Sequence, residues 1–213
     1  MTDRKFRFAA MSRRAAVTGA ALAAMAALAS CSPGGGAGAA EGDMALGAGP
    51  DAKVTVVEYA SVTCGVCAAW NTQVWPAFKE KYVDTNQVRY VFREFPTPPA
   101  DVATAGFLIA RCAGEDQYFN VIHAIMDSQR EWQAGTPPRQ SLLRIAQEAG
   151  LSQDEFQQCV TDREAIAAVE ERVQAAIAQG VNGTPTFFVN GERVSDPSLE
   201  GLSTVIDAAL AEG

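Results

Sequence analysis

The sequence predicts an α/β domain with the order β-α-β, a block of helices, then β-β-α. Three observations predict it. Residues 53–59 (KVTVVEY) and 88–95 (VRYVFREF) are β-branched and aromatic runs that flank a helical stretch opening at Gly65. Residues 100–179 carry only helical spacing. Strand character returns at residues 186–189, and Asn190-Gly191, a pair that favours positive φ, turns the chain into 192–194. A chain of 213 residues suits one domain.

The first run reads as a buried strand and is followed, after a short turn, by Cys64. Val66, Ala69, Trp70 and Val74 then share one helical face. Trp75-Pro76 should kink that helix, since proline lacks a donor and restricts its predecessor. The second strand closes at Pro96. A β-α-β unit pairs its strands in parallel and is right-handed. Cys64-Gly65-Val66-Cys67 therefore falls at the carboxyl end of a strand and the start of a helix, where open α/β sheets gather their sites.

In the helical block, residues 117–130 place Phe119, Ile122, Ile125 and Met126 on one side. Ser152-Gln153-Asp154-Glu155 and Thr161-Asp162-Arg163-Glu164 both fit a capping box. The final helix of the block repeats Ile166, Val169, Val173 and Ile177, and Gly180 suits its end. Asp196-Pro197 opens a last helix running to Ala211.

Residues 1–31 read as an export signal: Arg4, Lys5, Arg7, Arg13 and Arg14 precede the uncharged apolar run 15–29. Leu28-Ala29-Ser30-Cys31 resembles the bacterial lipobox, which implies cleavage before Cys31 and lipidation of its sulfur. Cleavage after Ala37-Gly38-Ala39 to release a soluble protein stays open, as do a twin-arginine signal at Ser12-Arg13-Arg14 and a start at Met11. Residues 32–50 are expected as a flexible linker and 51–213 as the folded domain. The signal holds five of the 17 basic and one of the 25 acidic residues, so the remainder carries 12 and 24, a net of −12. Such a chain repels nucleic acid.

Beyond Cys31 four cysteines remain: Cys64, Cys67, Cys112 and Cys159. An even number in an exported chain reads as disulfides. Cys64 should cap the helix, where free amides and the dipole favour a thiolate, and Cys67 lies on the same side one turn on. Glu58 sits mid-strand, where a carboxylate is costly to bury and gains a raised pKa unless it faces a wet edge. In Gly183-Thr184-Pro185-Thr186 a proline opens a strand. It is either an ordinary trans edge proline or a cis one that turns the Thr184 main chain toward the cysteines and an extended substrate.

These residues resemble the DsbA-type thiol–disulfide oxidoreductases of the thioredoxin superfamily, in their exported bacterial branch. The resemblance runs from about Lys53 to the C-terminus, through Val57-Glu58-Tyr59, Cys64-Gly65-Val66-Cys67, Pro76 with Tyr82, residues 91–96 and Gly183–Phe187. It implies a thioredoxin fold with an all-helical insertion at about 98–179. It also implies Cys64 as nucleophile, Cys67 as resolving cysteine, Glu58 as buried acid and Pro185 as cis-proline, with Gly65, Val66 and Thr184 meeting substrate. A second disulfide, known in part of that branch, implies that Cys112 pairs with Cys159. The best-known members hold Pro-His between the cysteines, where this chain has Gly65-Val66. A less acidic Cys64 and a less oxidising disulfide are expected.

The resemblance implies no bound cofactor or metal. It implies cysteine-containing substrate proteins, a membrane redox partner and a periplasmic or extracytoplasmic monomer. Two other functions compete: a reductase or isomerase on the same fold, and a soft-metal carrier using Cys64 and Cys67. His123, the single histidine, reads as a packing or surface residue.

Overall fold

The computed structural model describes residue 40 and residues 42–212. The expected signal and Cys31 lie outside the described residues. Strands β1 (Met44–Gly47), β2 (Thr55–Ala60), β3 (Arg89–Glu94), β4 (Thr186–Val189) and β5 (Glu192–Val194) form one sheet in the order β1-β3-β2-β4-β5. β2 and β3 are parallel, with Ala60 beside Glu94, and the other pairs are antiparallel.

Helix α1 (Gly65–Gln73) breaks at Val74, before Pro76 in the short α2 (Trp75–Phe78), and a π-helical turn follows at Lys79–Val83. The proline accounts for the break. Between β3 and β4 the chain forms α3 (Ala100–Cys112), α4 (Glu115–Gln133), α5 (Pro138–Glu148), α6 (Gln153–Thr161) and α7 (Arg163–Ala178). Helix α8 (Leu199–Ala211) ends the fold, with the Ser198 hydroxyl accepting from Gly201 N at its start.

Side-chain alternation along the strands divides the core in two. Val54, Val56, Tyr90, Phe92, Phe187 and Val189 pack with α1, α4 and α8 on one face. Val57, Tyr59, Val91 and Phe188 meet Ala176 and Val181 on the other. At the β4–β5 turn Asn190 and Gly191 take φ of 46° and 87°, the positive values a two-residue hairpin requires.

Three expectations change. Residues 44–47, placed in the linker 32–50, form strand β1. Met44 and Leu46 pack toward the first core and Ala45 toward the second, a period-two pattern. The preceding Asp43 forms a buried ion pair with Arg93 at 2.7 Å. At residues 161–164 there is no capping box: Thr161 ends α6, and the Asp162 carboxylate caps α7 by accepting from Glu164 N and Ala165 N. At Ser152 both arms of the box are present. On α7, Ile177 is 49% exposed and Ala176 is buried in its place. Seven residues after Val169 the stripe falls on Ala176, because two helical turns take 7.2 residues.

Candidate active site

The loop between β2 and α1 carries the site. Ser61 and Thr63 tie it to Thr97: Thr97 N donates to Ser61 Oγ at 3.1 Å, and Thr63 Oγ1 donates to Thr97 O at 2.8 Å. Beneath it, α3 approaches through Gly106, where a Cβ would stand 2.8 Å from Val62 Cγ2. Cys64 then caps α1 with extended backbone, and its Sγ accepts from Cys67 N at 3.2 Å. Both thiols are free; Cys67 is fully buried and Cys64 is partly exposed. Val66 between them is 66% exposed, an apolar side chain beside the accessible sulfur.

From across the sheet comes the turn before β4. The Thr184–Pro185 peptide bond is cis, and the Cys64 thiol donates to Thr184 O at 3.5 Å. β4 begins only at Thr186, so Thr184 stands outside the ladder next to Cys64.

The electrostatics separate the two sulfurs. Hydrogen bonding from the Cys67 side chain is the largest influence on Cys64 and lowers its pKa to about 6. Burial opposes this, while Thr184 and the Cys67 and Val66 amides add to it. Cys67 is pushed far up, first by burial and then by the Cys64 sulfur. Glu58 shares a sheet face with Val56 and Ala60, is 2% exposed and receives a short hydrogen bond from Tyr90 OH. Burial raises its carboxyl to about 8, Tyr90 opposes that, and the charge of Cys64 adds to it. The structure thus brings together Cys64, Cys67, Glu58, Thr184, Pro185, Gly65 and Val66.

The remaining candidates lie apart. Cys112 and Cys159 are joined by a disulfide that links α3 to α6. His123 packs on Trp75 at 5.0 Å between ring centres, with Nδ1 against Asn71 Oδ1; burial lowers its pKa to about 4. Among the described residues no three His, Cys, Asp or Glu side chains gather as a metal cluster. No helix among them is long and apolar enough to cross a membrane.

Two neighbours of the site escaped sequence reading. Tyr90 lies two residues before Phe92, the β3 partner of Glu58, so it shares that face diagonally. Gln129 donates to the Val62 and Cys64 carbonyls at 2.8 and 3.3 Å. It occupies the next place in the stripe Ile122, Ile125, Met126, where an amide on a buried face was the available signal.

A mixed sheet with a helix-capping CxxC beside a cis-proline defines a dithiol protein of thioredoxin fold. The chain belongs to the thioredoxin family, whose model, described as Thioredoxin, matches residues 39–208. It is similar to a Rickettsia bellii protein named "Putative protein-disulfide oxidoreductase", 35% identical over 182 residues, 81% of this chain and 66% of that one. A Rickettsia conorii protein of the same description is 37% identical over 174 residues, 81% of this chain and 62% of its own. The chain thus spans about two thirds of the length of these relatives. Among solved structures, alpha-DsbA1 of Wolbachia pipientis has a TM-score of 0.71 at 28% identity, over 82% of this chain and 94% of that one.

Proposed function

We propose that the protein is a thiol–disulfide oxidoreductase that exchanges a Cys64–Cys67 disulfide with cysteines of substrate proteins, in support of oxidative folding. The observation that carries this reading is the asymmetry of the pair: an accessible, acidic Cys64 at the helix cap and a buried, weakly acidic Cys67 behind it. A thiolate both attacks disulfides and leaves from them well.

In the oxidising direction a substrate thiolate attacks Cys64 Sγ. The Cys64–Cys67 bond breaks, and Cys67 departs with the electron pair. Glu58, protonated at neutral pH by its burial, supplies the proton that Cys67 takes up. A second substrate thiolate then attacks the substrate sulfur of the mixed disulfide and releases the Cys64 thiolate. The substrate loses two electrons and the dithiol holds them. Thr184 beside Pro185 aligns an extended substrate through its main chain, and Gly65 and exposed Val66 meet it on the other side.

A membrane redox partner regenerates the disulfide, and the protein works as an exported monomer in the periplasm or another extracytoplasmic space. It is held there by lipid on Cys31 if the lipobox is cut. Mass analysis of the mature N-terminus tests that last step: a diacylated Cys31 supports it, and cleavage after Ala39 overturns it.

The exchange reading is tested by insulin reduction, oxidation of a dithiol peptide and a glutathione titration of the purified domain. Activity that disappears in Cys64→Ser supports it, and an inert wild type overturns it. The titration also assigns direction: a high potential supports the oxidase, and a low one supports a reductase or isomerase on the same residues.

A further inference from the structure

Gln129 reaches the site from the helical insertion, 65 residues further along the chain than Cys64. It is only 8% exposed, and its Nε2 donates to the carbonyls of both Val62 and Cys64. Both partners are main-chain oxygens, which only accept. The amide nitrogen must therefore face them, whichever way the amide is drawn. Val62 is fully buried, and a buried carbonyl without a donor is costly, so the loop needs this amide or something like it.

The position of these bonds makes them more than a staple. Cys64 N already donates to Ser61 O at 3.1 Å, and Cys64 O accepts from Ala68 N at 3.0 Å as the first bond of α1. Gln129 adds a second donor to that same oxygen. The Ser61–Thr63–Thr97 hydroxyls hold one side of the loop, and Gln129 holds the other. The Cys64 sulfur meets Cys67 N and Thr184 from the backbone conformation so enclosed. An apolar side chain of similar volume at 129 fills the space but leaves the Val62 carbonyl without this donor and the Cys64 carbonyl with Ala68 N alone, which loosens the loop that presents Cys64.

We propose that Gln129 is a positioning residue. It holds the Cys64 main chain so that the sulfur meets the Cys67 amide and Thr184, and it makes the reactivity of the dithiol depend on the docking of α4. The proposal rests on the exchange reading above.

Three variants test it with a readout independent of substrate: the rate of Cys64 alkylation by iodoacetamide against pH, taken with the glutathione equilibrium. Gln129→Met and Gln129→Leu keep the volume and remove the donor. Ser128→Ala is the structural control. It deletes a buried hydroxyl that donates to Ile125 O at 2.8 Å on the same helix and touches no catalytic group. Both Gln129 variants should shift the alkylation midpoint upward and move the glutathione equilibrium about threefold toward the disulfide, while Ser128→Ala leaves both unchanged even if its Tm falls.

Unchanged midpoints in the Gln129 variants overturn the proposal, as does an equal shift in Ser128→Ala. Either Gln129 variant alone suffices if the other fails to fold. A wild type whose Cys64 shows no acidic midpoint and no exchange overturns the exchange reading instead, so the two failures are distinct.

Discussion

The Cys67 amide donates to the sulfur of Cys64 at 3.2 Å, so the main chain of the buried cysteine stabilises the accessible sulfur. The same turn of helix buries the Cys67 sulfur, and the pKa values of two thiols three residues apart are shifted in opposite directions.

Alkylation of Cys64 in the reduced protein should follow a midpoint near pH 6, the value its hydrogen bonds set. That lies between the ~3.5 of DsbA and the ~7 of thioredoxin. The folded pKa is depressed, so the stability it gives the dithiol form is complete only above the unfolded value of 9.0 and is lost as pH falls through 6. Urea titrations of reduced wild type and Cys64→Ala from pH 9 to pH 5 should converge toward the acid end. A midpoint of 8 or higher would contradict the site geometry.

Glu58 behaves in the opposite sense. Its folded pKa is raised to about 8 from 4.5, so the folded state binds a proton the unfolded chain releases. The resulting stability is present below 4.5 and lost as pH rises through 8. Glu58→Gln should therefore be more stable than wild type at pH 8 and equal to it at pH 4. The gap at pH 8 should be a few kcal/mol, since each pH unit between the two pKa values is worth roughly 1.4 kcal/mol. The variant should also turn over more slowly, since the amide gives Cys67 no proton. Equal urea midpoints at pH 8 would show that the carboxylate is solvated.

Glu94 is fully buried and accepts from Arg111 Nε at 2.5 Å, Arg172 Nη2 at 2.8 Å and Tyr118 OH at 3.1 Å. It joins β3 to α3, α4 and α7. Glu94→Ala leaves two partly buried guanidinium groups without their carboxylate, at a cost of about 3 kcal/mol. Thermal unfolding should move down by roughly 10 °C, with the Cys64 alkylation midpoint unchanged.

The Cys112–Cys159 bond closes a loop of 47 residues, which by chain entropy contributes about 4 kcal/mol. Cys112→Ala with Cys159→Ala should lose much of that stability and keep the exchange chemistry. Peptide mapping without reductant provides the direct check, since a linked peptide must appear.

What the sequence showed and hid divides by distance along the chain. Cys64, Cys67 and the helix they start are three residues apart, and the hydrogen bond that defines them is local. Glu58 was legible as a carboxylate in the middle of a β-branched run that reads as a buried strand, and its 2% exposure removes the wet-edge alternative. Tyr90 was not, because its reach to Glu58 depends on the register of β2 on β3. Gln129 needed the packing of α4 on the loop. β1 was missed because four residues beside a Gly- and Ala-rich stretch carry a weak pattern, and its pairing to β3 supplies the order. Thr161 misled because two helices meet there with one residue to spare, and the stronger acceptor, Asp162, took the cap.

β1 runs antiparallel to β3, with Met44 beside Phe92, so the chain enters the sheet at the end where Cys64 lies. By lateral count it does so two strands from β2, roughly 10 Å away. At the other terminus, the Leu210 carbonyl of α8 binds Lys53, ahead of β2 and at the opposite end of the sheet. For anyone attaching a reporter, a purification handle or a surface linker, the two ends are not equivalent. Cargo fused at Gly42 sits at the Cys64 end of the sheet, and cargo fused after α8 sits at the opposite end.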